Sequence, residues 1–515
     1  MLSGFMATGK STVGRSVAQR LKRPFVDLDR LVEDRAGCSI SELFRTRGEP
    51  AFRALERQAL LDVLRDDAVV LSVGGGALLD RGMRLDVLER ARVVTLRASA
   101  AEVARRSATD TARPLLGATA DVHALLELRA SSYAECHASV DTEGRDIAAV
   151  VADVCGHVDV SLVAVACGRD SYSVQVGAGV TAGALARRDA PGGHLLVTDS
   201  NVGALYADQV AEWLGAAGQV HRVVLTPGEE HKSLEGMRSL WAAAAGFGLD
   251  RRCHVFSLGG GVVSDMAGFF AATWLRGVSW GLAPTSLLAM VDASVGGKTG
   301  VDFLDMKNAV GAFWQPRFVV CDTAFLATEP LRGFRSAVSE VVKTALIGDA
   351  ALLDLLETRQ PELLARDPAL LADIVERCVT VKARIVSRDP REAGLRAVLN
   401  LGHTVGHALE AHTEFRQFTH GEAVSLGLMV ALRLGEQLGR TPGALVARVH
   451  ALLTSLELPT EVAPELLSAS LSLLYRDKKR HGAKIRFVFA HDVGEVTTAD
   501  LPMESLQGAL GAPRT

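Results

Sequence analysis

RAVLNLGHTVGHALEAHTEFRQFTHGE, residues 396–422, is the stretch on which the reading of this chain turns. His403 and His407 stand four apart among the helix formers Ala408, Leu409 and Glu410, so both imidazoles project from one helix face. Gly402, just before them, permits a turn or a close backbone approach. His420 follows where a loop enters the next helix, flanked by Gly421 and Glu422. Of fourteen histidines in 515 residues, four fall between 403 and 420. A lone pair of histidines one helical turn apart is ordinarily a polar helix face; His420 and the motifs upstream favour a metal centre instead.

Imidazole suits zinc, and a catalytic zinc takes three protein ligands and keeps one position open, so a carboxylate from elsewhere is needed. SAVSEVVKTALI, residues 336–347, has helical period through Val338, Val341, Val342, Ala345 and Leu346, and places Glu340 and Lys343 on one face. That pair is ordinarily an intrahelical salt bridge worth about 0.2–0.5 kcal/mol. Here Glu340 is also the carboxylate that completes a Glu340–His403–His420 site.

Further upstream, APTSLLAMVDASVGGKTGVDFLDMKN (283–308) sets Asp292, Lys298, Lys307 and Asn308 around flexible glycines. Lysines beside such backbone suit a phosphate or carboxylate, and an adjacent aspartate keeps a lysine charged and oriented. Arg276 in TWLRGV is a further candidate anion contact. SLGGGVVSDMAGF (257–269) reads as a buried strand ending in Gly259, Gly260 and Gly261, then a helix with Asp265 near its start, where a pyrophosphate can rest on backbone amides. TPGEEHKSLEG (226–236) offers Glu229, Glu230 and Lys232, either as polar contacts or as a plain surface loop. From 161, strands and helices alternate through SLVAVAC, YSVQVG and HLLVTDSNV, which implies a parallel sheet. Asp199 at a strand end either meets a ribose or caps a helix.

At the other end of the chain, GFMATGKST (4–12) fits the phosphate-loop pattern, with Lys10 for the outer phosphates and Ser11 for magnesium. Only Met1 and Leu2 precede it, so the first strand is short or begins upstream. PFVDLDRLVE reads as a strand delivering Asp27 and Asp29 at its end, and VVLSVGGG (69–76) as a buried strand closing in glycines. RRSATDTARPLL (105–116) has the polar, arginine-bearing character of a segment closing over phosphates. Beyond the histidines, LLYRDKKRHGAKIRFVFA (473–490) gives a charged turn and a strand, with Lys478 as a reach-in cation.

A chain of this length exceeds one core, and 48% hydrophobic with 23% charged residues is a folded composition. A net charge of -4 gives no electrostatic case for nucleic acid or an anionic membrane. Seven dispersed cysteines without a CxxC pair imply free thiols in a reducing compartment, and no apolar run has the length of a membrane span, so a cytoplasmic protein is expected.

GFMATGKST, DLDRLVE, SISELFRTRGEPAFRALE, GGG, RPLL and LRASSY together resemble shikimate kinase. The resemblance implies that Gly9, Lys10, Ser11 and Thr12 hold ATP, that Asp27 supports magnesium, and that Arg113 lies over ATP. It further implies that Asp29, Arg53, Gly75, Gly76 and Arg129 grip shikimate, with Lys10 and Asp29 catalytic. Ala7 and Thr8 stand where that family usually has small residues or glycine.

PGEEHK, GGGVVSD, PTS, DASVGGKT, KN, SEVVK, LNLGHTVGHALE and HGEAV, in that order, resemble 3-dehydroquinate synthase from about residue 160 onward. This implies NAD contacts from Asp199, Glu229, Lys232, Gly260, Gly261, Asp265, Thr285, Ser286, Lys298, Lys307 and Thr328. It implies zinc, with cobalt as the alternative ion, on Glu340, His403 and His420, and catalytic roles for Asp292, Lys298, Lys307, Lys343 and His407. Arg276, Asn308, Lys382, Arg396, Asn400 and Lys478 would bind the substrate, 3-deoxy-arabino-heptulosonate 7-phosphate. The implied chemistry is oxidation of an alcohol by NAD, β-elimination of phosphate, return of the hydride and ring closure to 3-dehydroquinate. Asp302 and Met306 depart from the Asn and Gly usual between GGKT and KN, which touches the loop shape and not the lysines.

The expected architecture is α/β throughout: a P-loop kinase domain (1–152), a linker (153–160), an NAD-binding α/β domain (161–330) and an α-helical metal domain (331–515). A homodimer through the synthase half is expected. Two rival functions remain open: a cyclase acting on sedoheptulose 7-phosphate, or an N-terminal unit that binds nucleotide as a regulatory module.

Overall fold

The computed structural model describes residues 1–66, 68–107, 119–186, 188, 190–304, 306–478 and 484–502. The chain divides into two compact units, Met1–Val174 and Gln175–Thr515.

In the first unit, β1 (Leu2–Gly4), β2 (Phe25–Asp27), β3 (Val70–Ser72), β4 (Val94–Arg97) and β5 (Ala138–Asp141) form a parallel sheet in the order β2-β3-β1-β4-β5. Strand side chains alternate between faces, and the core divides accordingly. Leu71 and Val73 pack with Leu28, Val32, Leu43 and Leu60 on one side, whereas Leu2, Val70, Val94 and Leu96 pack with Val13, Val17 and Val154 on the other. Each fully buried Val or Leu is worth about 1.5–3 kcal/mol. The Lys10–Leu21 helix begins directly after Gly9, whose φ of 89° lies in the left-handed region that glycine enters at little cost. β2 ends at Asp27, two residues before the Asp29 that the sequence pattern places at its end. Asp27 accepts a hydrogen bond from the Asp29 amide at 3.2 Å and so starts the Leu28–Ala36 helix, which places Asp29 in a first helical turn and not on the strand.

β6 (Ser161–Val165) and β7 (Tyr172–Gly177) lead across the division. The second unit contains β8 (His194–Asp199), β9 (Val220–Leu225), β10 (His254–Gly259), β11 (Ser279–Pro284), β12 (Lys298–Phe303), β13 (Met306–Phe313) and β14 (Phe318–Asp322). Five of these run parallel in the order β14-β11-β10-β8-β9. β10 is buried along its whole length, as a central strand covered on both faces must be. The segment from GGKT to KN, read as a loop, is an antiparallel hairpin of β12 and β13 with a register shift between Val301 and Phe303. Asp302 stabilises the irregularity by accepting the Asn308 amide at 2.7 Å, where Asn308 has φ of 52°.

The remainder is helical: Leu331–Gly348, Ala350–Thr358, Pro368–Arg388, His403–His412, His420–Gln437 and Gly443–Ser455 precede a hairpin of β15 (Lys484–Asp492) and β16 (Glu495–Pro502). Glycines set the helix spacing. A Cβ on Gly421 would lie 1.9 Å from the Ser336 carbonyl oxygen, and one on Gly427 would lie 2.0 Å from that of Gly402. Three helices can therefore approach more closely than side chains allow, which brings Glu340, His403 and His420 within reach of one another. Among the described residues no helix is long and apolar enough to cross a membrane.

Candidate functional sites

In the second unit the candidate residues gather past the C-terminal ends of the parallel strands, where open α/β sheets bind ligands. Asp199 ends β8, Glu229 and Lys232 follow β9, Gly260, Gly261 and Asp265 follow β10, Thr285 and Ser286 follow β11, and Thr328 follows β14. The Gly261–Thr273 helix begins at the glycines without a capping side chain, leaving its first amides for a ligand. Asp199 instead caps its helix, accepting the Asn201 and Val202 amides at 2.8 and 2.9 Å. Lys232 is buried and bonds the Asp265 carboxylate at 2.6 Å and the Asn308 side chain. Burial would lower its pKa, but Asp265 and Glu229 outweigh that and raise it, so the ammonium stays charged. Thr328 is exposed and shares a hydrogen bond of 2.7 Å with Tyr206.

Glu340 is fully buried on the Leu331–Gly348 helix, and its Oε1 lies 3.3 Å from Nε2 of His403 and 3.3 Å from Nε2 of His420. Both imidazoles are oriented from behind. His403 Nδ1 faces the Leu401 carbonyl at 3.3 Å and His420 Nδ1 faces the Glu410 carboxylate at 3.3 Å, so each Nε2 is directed at Glu340. Neither Glu340 oxygen receives a well-angled hydrogen bond, although Lys343 Nζ lies 2.5 Å from Oε2. A buried carboxylate with poorly satisfied oxygens and two convergent imidazole nitrogens, all within 4.8 Å, has the donor set and spacing a zinc-class ion requires. Burial would raise the Glu340 pKa, but Lys343 and His403 outweigh it and keep the carboxyl ionised. Burial would likewise lower His420, but Glu340 and Glu410 push it up to about 10.

Beside this trio lies a cluster of charges. Lys382 Nζ bonds the Asp292 carboxylate at 2.6 Å and its carbonyl at 2.5 Å, while Lys343 Nζ lies 3.9 Å from the same carboxylate. Burial would raise Asp292, but Lys382 and Lys343 hold it well below the carboxylate range. Burial pulls Lys382 down to about 8, against the attraction of Asp292. Asp292 therefore serves these two lysines and not its neighbour Lys298, which is half-exposed and pairs with Glu392 at 2.6 Å. Arg396 is buried, and its guanidinium donates to the Gly296 carbonyl at 3.3 Å, over a glycine where a Cβ would collide with it. Asn400, His403 and His407 line a cavity of about 310 Å³ together with Thr404 and Arg486.

Not every candidate joins this group. Arg276 is exposed just before β11, at the N-terminal edge of the sheet and opposite the others. Asn308 turns to Lys232 and Asp302. Lys478 ends the Pro464–Lys478 helix, and its side chain lies outside what is described. Glu410 and Arg486 were missed by sequence reasoning. Glu410 reads as one more helix former and Arg486 as one more charge on a strand; only the fold buries Glu410 behind His420 and sets the exposed Arg486 at the cavity wall.

In the first unit, Ser11 Oγ donates to the Asp27 carboxylate at 2.7 Å and Lys10 Nζ donates to the Phe5 carbonyl at 2.7 Å across the loop. Gly74, Gly75 and Gly76 form the floor of a second group. A Cβ on Gly74 would lie 2.7 Å from Asp29, and one on Gly76 would lie 2.7 Å from Arg53. Arg129 and Tyr133 donate to the Gly75 carbonyl at 3.3 and 2.7 Å. Asp29, Arg53, Gly75, Gly76 and Arg129 are thus brought together. Buried Glu56, which pairs with Arg53 at 2.6 Å, and Tyr133 are additions that the sequence pattern did not single out. Thr12 lies in the first turn of the loop's helix, and Arg113 lies outside the described residues.

Comparison with known families matches residues 6–158 to shikimate kinase, 222–336 to 3-dehydroquinate synthase N-terminal and 337–480 to 3-dehydroquinate synthase C-terminal. A 3-dehydroquinate synthase of Symbiobacterium thermophilum is 44% identical over 355 residues, covering 67% of this chain and 99% of that protein. One from Acidithiobacillus ferrooxidans is 41% identical over 350 residues, covering 67% and 96%. Among solved structures, 2-epi-5-epi-valiolone synthase from Streptomyces hygroscopicus subsp. jinggangensis, with NAD+ and Zn2+ bound, is 28% identical with a TM-score of 0.59, covering 66% of this chain and 95% of that one. A 2-deoxy-scyllo-inosose synthase complexed with carbaglucose-6-phosphate, NAD+ and Co2+ shares the fold at 24% identity and a TM-score of 0.61, covering 68% and 99%.

Proposed function

Because the chain belongs to the 3-dehydroquinate synthase family and carries a shikimate kinase unit ahead of it, we propose a bifunctional enzyme whose two substrates are shikimate and 3-deoxy-arabino-heptulosonate 7-phosphate. The kinase unit transfers phosphate from ATP·Mg to shikimate. The synthase unit eliminates phosphate from the heptulosonate and closes the ring to 3-dehydroquinate, using NAD and zinc. The observation that carries the synthase half is the convergence of Glu340, His403 and His420 on one point beside the Asp292–Lys343–Lys382 cluster.

Glu340, His403 and His420 would hold zinc, which supplies Lewis-acid polarisation of an alcohol. The glycines and free helix amides after β10 would hold NAD, which supplies a reversible hydride acceptor. Lys343 and Lys382, kept in place by Asp292, put positive charge where a phosphate or carboxylate must be neutralised. His407, exposed at the cavity wall, is the imidazole placed to move a proton there. In the first unit, Lys10 and Ser11 serve the nucleotide, whereas Arg53 and Arg129 flank the glycine floor as guanidiniums suited to a carboxylate. Asp29 lies against the same floor, positioned to take the hydroxyl proton as phosphate transfers.

Phosphate release from the heptulosonate phosphate, lost on chelation and restored by zinc, tests the synthase half. Faster release from sedoheptulose 7-phosphate would reassign the substrate; the 41–44% identity to proteins named 3-dehydroquinate synthase supports the heptulosonate. Shikimate-dependent ADP formation, abolished by Lys10→Ala, tests the kinase half against a regulatory module. The seven free cysteines support a reducing, cytoplasmic setting. Light scattering of the full chain tests the homodimer.

A further inference from the structure

Glu410 sits two turns along the helix from His403 and is buried, with 3% of its side chain exposed. Its two oxygens face different functional elements. Oε2 lies 3.3 Å from Nδ1 of His420, while Oε1 lies 3.4 Å from Nζ of Lys307. Lys307 comes from β13, its ammonium 3.6 Å from Glu229 and 4.2 Å from the centre of the Phe415 ring. One buried carboxylate therefore touches both an ion-facing imidazole and a lysine beside the candidate dinucleotide crevice. A surface carboxylate would be exposed and replaceable; this one is buried and bridges two partly buried donors, so removing it takes from His420 Nδ1 the carboxylate that faces it.

We propose that Glu410 is a positioning residue of the metal centre: by holding His420 Nδ1–H it fixes the tautomer and ring orientation that direct Nε2 at Glu340, and through Lys307 it ties the β12–β13 hairpin to that same arrangement. A carboxylate behind a ligating imidazole commonly contributes 10–100-fold to metal affinity, about 1.4–2.7 kcal/mol. The hairpin tie has its own consequence. Ordering Lys307 with a dinucleotide should tighten the grip on the ion, and reciprocally.

This inference rests on the proposal that Glu340, His403 and His420 hold a divalent cation. The test is a Co2+ titration of the chelator-stripped full-length chain, read by visible absorption, with and without NAD+. Glu410→Ala should weaken Co2+ binding about 10–100-fold and alter the absorption band; Glu410→Gln, which keeps one acceptor, should recover part of the affinity. NAD+ should tighten Co2+ in the wild-type chain by several-fold and leave Glu410→Ala unmoved. Equal affinity and an unchanged band in both variants would overturn the positioning role. If Glu410→Ala lacks a cooperative melt, Glu410→Gln carries the test, with about a threefold loss expected and wild-type affinity overturning the idea. Failure of the wild-type chain to bind Co2+ would remove the metal centre itself, a result distinguishable from failure of the Glu410 assignment.

Discussion

Glu56 in the first unit and Glu340 in the second are both buried carboxylates with a basic residue three positions away on the same helix, yet their pKa values move in opposite directions. Burial raises Glu56; Arg53 opposes this, but its guanidinium is partly exposed and shared with Glu49, and the charge of Asp29 adds to the rise. Burial alone would raise Glu340 too, but Lys343 is itself buried and His403 adds to its attraction. An acid–base pair at helical spacing is thus an ambiguous signal. The number and burial of the surrounding cations decide which way the acid's pKa moves.

The comparison breaks first if Glu340 is dispensable. Glu340→Gln should lower zinc content under dialysis and cut phosphate release by about 1,000-fold, while ADP formation stays within about twofold of wild type. Metal analysis and the two assays on one preparation check this. Retention of zinc by that variant would remove Glu340 as a ligand.

Next in size is the helix spacing that makes the site. Gly427→Ala introduces a Cβ 2.0 Å from the Gly402 carbonyl oxygen, and the shift it forces should cost about 1–3 kcal/mol. Calorimetry should show the second unit's transition lowered by several degrees, with weaker zinc retention. An unchanged melt would mean that the close helix approach is not needed.

Smaller still is the Glu56 side of the comparison. Glu56→Gln keeps the shape of the Arg53 anchor and removes its charge, and Arg53 is partly solvated, so the KM for shikimate should rise about threefold to tenfold while that for ATP stays level. Steady-state kinetics with each substrate varied separate the two. A loss as large as that of Glu340→Gln would put the two carboxylates in one class.

The smallest effect concerns pH. Burial depresses Lys382 from the ordinary lysine value to about 8, so its charge is present below that pH and is lost as pH rises through it. Phosphate release should decline by a few-fold between about pH 7 and 9, and Lys382→Arg, which stays charged, should flatten that limb. A limb identical in both would assign the titration to another group.

How much of this was legible in the sequence depends on distance along the chain. The phosphate loop was readable because its parts are contiguous: Gly9 sets the turn, and Lys10 and Ser11 follow on the first helical turn. Asp27 and Asp29 are both legible in PFVDLDRLVE, but the single strand expected to carry the two ends at Asp27, which caps the helix that begins at Leu28. The β12–β13 hairpin escaped notice since its alternation is interrupted at Asp302, and Arg276, grouped with the anion contacts by composition, lies at the opposite edge of the sheet. Glu410 closes the LNLGHTVGHALE motif but carries no signal of its role, because a glutamate on a helix is commonplace until its surroundings are known.

By itself, the sequence determined which residue types were available and the local geometry that neighbours impose: helical spacing for His403 and His407, glycine turns after strands, and a left-handed residue before a helix. Tertiary structure alone decided that Glu340 meets His403 and His420, that Asp292 serves Lys343 and Lys382, and that Glu410 joins an imidazole to a lysine. The physical reason is that backbone dihedrals act between neighbours. Charge pairing and desolvation act across space, and they take effect only once helices have packed through Gly421 and Gly427 and excluded water.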